Sequence, residues 1–121
     1  MIYHITERNK FIQSLQTGKY FPDNYEKEGF IHCSTKTQVV KVANRYYGTH
    51  SDLVLLAIDT SKIEFQVKYE NLEGGIELYP HIYGPISSRE IKKISSLVWD
   101  GASFSFPKTW HSISEFDNMV K

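Results

Sequence analysis

The chain has no excess of charge, almost no cysteine and no long apolar run, and each shortage closes a class of function. Its 14 Lys plus Arg balance 14 Asp plus Glu, so the formal net charge at pH 7 is zero. A nucleic-acid module ordinarily displaces phosphate counterions with a basic face, and this balance points away from one. The one cysteine, Cys33, permits neither an intramolecular disulfide nor a cysteine-rich zinc site. No apolar stretch approaches the roughly 18–20 residues that span a bilayer. The opening Met1-Ile2-Tyr3-His4 carries no basic region ahead of an apolar one, so no signal peptide is expected either. Neither GxGxxG nor GxxxxGK[ST] occurs, which leaves Rossmann-type dinucleotide binding and P-loop chemistry unsupported. The expectation is a cytoplasmic protein that engages no membrane and no nucleic acid.

What is present suffices for a folded core. Of 121 residues, 40% are apolar and 14% aromatic, too many for a disordered tail and enough for one domain over 1–121. Residues 2–5 read as a strand with Ile2 and His4 on one face. Thr6 is placed to cap a helix over 7–17 bearing Phe11, Ile12 and Leu15, with Gly18 in the left-handed position beyond it. Residues 20–28 read as a loop and 29–34 as a second strand. Thr35 and Gln38 match a capping box ahead of a helix that carries Val39, Val42, Ala43 and Tyr46 and stops at Gly48. Residues 53–58 (Leu-Val-Leu-Leu-Ala-Ile) do not alternate, which predicts a central strand covered on both faces.

Downstream, 65–70 alternates like a strand with one wetter face, 71–75 reads as a turn, and 79–84 as a strand whose Pro80 stays off the hydrogen-bond ladder. Ser87 or Ser88 is a cap for a short helical turn, 91–99 reads as the last strand, and 112–121 as a terminal helix. Two early helices and about six strands without regular βαβ alternation predict an α+β fold.

Three histidines stand in short, distinctive contexts: Tyr3-His4-Ile5-Thr6, Phe30-Ile31-His32-Cys33-Ser34-Thr35 and Pro80-His81-Ile82-Tyr83-Gly84. Imidazoles donate, accept or take a proton near neutral pH, so three that converge would make a working pocket. They could equally be core histidines bonded to carbonyls, or separated metal ligands, although no HExxH or 2-His-1-carboxylate pattern supports the latter. Strand alternation puts Cys33 on the face opposite His32 and marks it as a small buried apolar residue, while His32 and Ser34 share a face. The following helix start offers free N–H groups to an anion. Arg45 is either an anion clamp or a helix-end cation, and Glu70 either a general base or a turn carboxylate.

The ordered set Tyr3-His4-Ile5-Thr6, Gly29-Phe30-Ile31-His32-Cys33-Ser34-Thr35, Gln38, Ala43-Asn44-Arg45-Tyr46-Tyr47, 53–59, Tyr69-Glu70 and Pro80-His81-Ile82-Tyr83-Gly84-Pro85 resembles the domain-of-unknown-function 952 family over residues 2 to about 107. Residues 108–121 would then be a C-terminal extension. The family looks like a minimal relative of the ADP-ribosyltransferase fold, a split and mostly antiparallel α+β sheet that grips NAD in a central cleft.

The resemblance implies NAD as substrate, a small-molecule nucleotide-type ligand and no metal. It puts His4 and His32 on the ribose or phosphates and Ser34 and Thr35 near the nicotinamide ribose. Thr6, Gln38, Asn44 and Tyr83 are further ligand-binding positions on the same grounds. His32, His81 and Glu70 become the catalytic candidates, with His81 where active transferases usually carry a glutamate. That glutamate supplies a negative charge which a neutral imidazole cannot, and Glu70 is the nearby motif carboxylate. Two alternatives stay open: a catalytically silent binding module using the same cleft, and a metal-assisted hydrolase using the three histidines.

Overall fold

The computed structural model describes residues 1–50, 52–72 and 74–120. Glu73 in the expected turn over 71–75 and Lys121 at the end of the expected terminal helix lie outside the described residues.

The hydrophobic centre is a three-stranded antiparallel sheet in which β4 (Leu53–Ile58) lies between β1 (Ile2–Glu7) and β8 (Ile91–Leu97). All six β4 residues are buried, as the unbroken apolar run predicts. Alternation divides them. Val54, Leu56 and Ile58 pack with Phe11 of α1 (Arg8–Leu15) and Phe116 of α4 (Ile113–Met119). Leu53, Leu55 and Ala57 pack with Val39 and Ala43 of α3 (Lys36–Tyr46) and with Phe104. Helices on both faces are therefore what allow this strand to be apolar throughout.

A second antiparallel sheet has β6 (Tyr79–Ile82) between β3 (Ile31–His32) and β5 (Val67–Glu70). The two sheets meet where Tyr3 and Ser34 exchange backbone hydrogen bonds, each 2.8 Å long. A short pair, β2 (Lys19–Tyr20) with β7 (Ile86–Ser87), closes one side.

The α+β class and antiparallel pairing stand, and the element count changes: the described residues form eight strands and four α-helices. Two-residue strands such as β2 and β7 have no period to read, and α2 (Tyr25–Glu28) is one turn inside the expected 20–28 loop. Gly29 caps α2 at φ 82°, a left-handed conformation that suits glycine, so the strand expected to begin there is reduced to Ile31–His32.

Thr6 caps nothing. Strand β1 runs on to Glu7, which takes the N-cap position of α1, and the Thr6 side chain is buried beside Tyr20. Pro80 also departs from expectation, lying within the central strand of its sheet and accepting from Cys33 N through its carbonyl (3.0 Å). The residue after the 79–82 strand and Tyr83 is Gly84, whose missing side chain leaves room for the Phe65 ring to lie directly against the backbone. The C-terminal segment is tied in, with His111 and Ile94 exchanging backbone bonds and Ser112 capping α4.

Candidate functional site

A cleft of about 830 Å³ runs along the junction of the two sheets, with β1, β3, β5, β6 and the end of α3 contributing to its walls. His4, His32 and His81 all line it, so one side chain from each of three distant strands reaches a common cavity. His32 and His81 are paired directly across β3 and β6, and their rings meet edge to face at 5.0 Å. Phe30 stacks on His81 at 4.3 Å, with a 24° angle between the planes.

Each of these two imidazoles is backed by a carboxylate. Nδ1–H of His81 donates to Glu70 Oε1 at 3.0 Å, and Tyr83 donates its hydroxyl to the same oxygen. Those two bonds, the Tyr83 one foremost, hold the Glu70 carboxyl below its ordinary range. His32 donates from Nε2 to Glu28, a residue that sequence reasoning passed over because it stood inside a presumed loop. The i, i+4 spacing of Glu28 and His32 was the available signal. It was disguised because Gly29 turns the chain between them.

His4 is arranged differently. Its Nδ1 lies 2.6 Å from the His32 carbonyl oxygen, which can only accept, so Nδ1 carries the proton. Burial depresses the ring to about pKa 4, keeping it neutral, and Nε2 must then accept the Tyr20 hydroxyl proton at 2.9 Å. The Tyr20 hydroxyl also lies 2.8 Å from Thr6 Oγ1. Both ring nitrogens of His4 are engaged inside the protein. These bonds tie β1 to His32 and to Tyr20 and leave a ligand no free nitrogen on the ring. Thr6 is likewise engaged in this chain.

The other expected ligand-binding positions divide. Ser34 lines the cleft, although its backbone is committed to the Tyr3 bridge. Thr35 and Gln38 form the capping box: Gln38 accepts from Thr35 N at 3.0 Å and donates to the Leu78 carbonyl at 2.8 Å. Asn44 clasps the backbone of Phe104, accepting its N–H at 2.7 Å. Thr35, Gln38, Asn44 and Tyr83 are not among the cleft-lining residues, and Tyr83 acts through Glu70. The capped start of α3 is thus occupied by its own side chain. Cys33 is buried and its thiol is pushed up by burial, as suits a packing residue.

Arg45, which also lines the cleft, lies over the Tyr46 ring at 5.3 Å and forms no ion pair among the described residues. Lys10, the other lining cation, is held by Asp23 and Glu7. Among the described residues, no group of three or more His, Cys, Asp or Glu side chains is spaced to hold a metal ion. Among them, too, no helix is long and apolar enough to cross a membrane.

Together these features define an α+β protein with a histidine-lined cleft at the seam of two antiparallel sheets. The chain belongs to the family described as Protein of unknown function (DUF952), whose model matches residues 5–94. It is similar to the crystal structure of protein CC0527 from Caulobacter crescentus, with a TM-score of 0.76 and 27% identity, covering 85% of this chain and 90% of that one. The solution NMR structure of CC0527 gives a TM-score of 0.75 at 27% identity, covering 85% and 89%. No curated protein matches the chain.

Proposed function

We propose that the cleft binds a nucleotide-type ligand and handles NAD or ADP-ribose, with the ribose next to the nicotinamide against His81 and Glu70 and the phosphates toward Arg45. The observation that carries this reading is electrostatic. The imidazole pair is backed by two carboxylates, Glu28 and Glu70, while Arg45, which forms no ion pair among the described residues, also lines the cleft. Two carboxylates suit a reacting carbon that gains positive charge, as a ribosyl centre does when its base departs. They oppose a phosphoryl group, whose oxygens are already negative. The resemblance leaves a gap where active transferases carry glutamate, and Glu70 supports this reading because it brings a carboxylate to within one hydrogen bond of His81. A volume of about 830 Å³ accommodates a ligand of dinucleotide size.

Titration calorimetry tests it. NAD and ADP-ribose are expected to bind saturably, and Arg45→Ala to weaken both by about tenfold through the lost charge-assisted contact. Absence of saturable heat with either ligand at millimolar concentration would remove the proposal. The reading as a silent binding module is favoured by one observation, the complete engagement of His4, and saturable binding without any product would select it.

A further inference from the structure

We propose that the acceptor in this cleft is water, with Nε2 of His81 as the general base, so that the protein cleaves the N-glycosidic bond of its nucleotide by hydrolysis. This rests on the NAD reading above and adds the identity of the acceptor.

The first support is the accounting of protons on the three imidazoles. His4 has neither nitrogen free, whereas His81 gives its Nδ1 proton to Glu70 and so presents Nε2 as a lone pair. That nitrogen has no hydrogen-bond partner among the described residues. Ser87 Oγ is the one polar side-chain atom there that is both sealed from solvent and unpartnered, so His81 Nε2 must open onto accessible space. The residue lines the cleft, and the cleft is where that space lies.

The second support is rigidity. The ring is held between the stacked Phe30 and the edge of His32, and its carboxylate is fixed in turn by Tyr83. A carboxylate that orients an imidazole and stabilises its protonated form is the arrangement general-base chemistry uses. The whole Glu70–His81 pair lines the cleft, whereas Glu28, which backs His32, does not.

Burial decides which acceptor such a base can serve. His81 is only 3% exposed. With the nucleotide seated in the cleft beside it, an atom that deep is left with space for an acceptor of the size of water.

The step balances. Water oxygen bonds to the anomeric carbon of the nicotinamide ribose while the carbon–nitrogen bond to nicotinamide breaks. The electron pair of that bond goes to the ring nitrogen, so nicotinamide leaves neutral and needs no general acid. The water proton passes to His81 Nε2, Glu70 stabilises the imidazolium, and solvent then takes the proton. The products are ADP-ribose, nicotinamide and a proton.

The test is incubation of the full chain with NAD, measuring binding by calorimetry, nicotinamide and free ADP-ribose by chromatography, and intact mass for attached ADP-ribose. Nicotinamide and free ADP-ribose are expected in equal amounts, with no mass added to protein. His81→Gln should lower kcat about 100-fold with KM within about twofold. Azide, an anionic nucleophile that needs no base, should restore turnover to that variant and yield ADP-ribosyl azide, which a purely structural role for His81 would not allow. Bound NAD without nicotinamide release, ADP-ribose found on protein, an unimpaired His81→Gln, or failure of azide to rescue it would each overturn the hydrolytic assignment. All four leave NAD binding itself intact, whereas NAD that does not bind removes the reading beneath it.

Discussion

The two three-stranded sheets are built to opposite specifications. In β1–β4–β8 the central strand is six apolar residues, all buried, with helices on both faces. In β3–β6–β5 the central strand is four residues long, contains a proline, and carries His81 among polar and aromatic neighbours. The first sheet supplies burial and therefore most of the stability. The second supplies placed polar groups, which cost free energy to desolvate and are held by each other and by the first sheet through the Tyr3–Ser34 seam. His4 links the two, since it belongs to the apolar sheet and grips the carbonyl of His32 in the polar one.

That contrast can be broken most severely at β4. Leu56→Ala should cost about 2–5 kcal/mol of unfolding free energy, measured by chemical denaturation, because its site is closed on both sides. Ligand affinity of the folded fraction should be unchanged. A comparable loss from Tyr69→Ala, an exposed side chain of the second sheet, would show that the division of labour is wrong.

Next in size is the acid response, in which the two regions titrate in separate windows. Buried neutral His4 has a folded pKa of about 4 against an ordinary 6.5. Between those values the unfolded chain binds more protons, so stability falls as pH falls, by about 3 kcal/mol in all. Glu70 is depressed from an ordinary 4.5, so its contribution is present above that value and is lost as pH drops through the depressed one. Stability curves of His4→Gln should be flatter between pH 6.5 and 4, and those of Glu70→Gln should lie below the parent above about pH 4.5 and converge with it as pH falls further. Interchanged effects would refute the assignment.

The smallest change concerns the link itself. Tyr20→Phe removes the hydroxyl between His4 and Thr6 and should cost about 1–3 kcal/mol by leaving two buried polar atoms with one partner fewer. A neutral result would mean that the bond chain does not hold His4.

Much of the first sheet was legible because its signals are local. The unbroken 53–58 run and the Thr35–Gln38 box each state their structure within a few residues. The site was legible only in outline. His32, His81 and Glu70 stand together in the cleft, while Thr6, which also lines it, bonds to Tyr20, and Thr35, Gln38 and Asn44 bond to neighbouring backbone or side chains outside it. A polar residue in a motif does not declare whether its partner is a ligand or a backbone group, since both demand the same donors and acceptors. Glu28 went unseen because its meaning depends on the left-handed turn at Gly29.

Chain order and residue type, then, were enough to establish the class of fold and the buried central strand and to single out three histidines that line one cleft, because hydrophobic period and capping chemistry act over a few residues. Which of those histidines keeps a free nitrogen was settled by folding alone. Proton placement on an imidazole depends on the atoms that come to lie against it, and for His4 these are Tyr20 and the His32 carbonyl, 16 and 28 residues away.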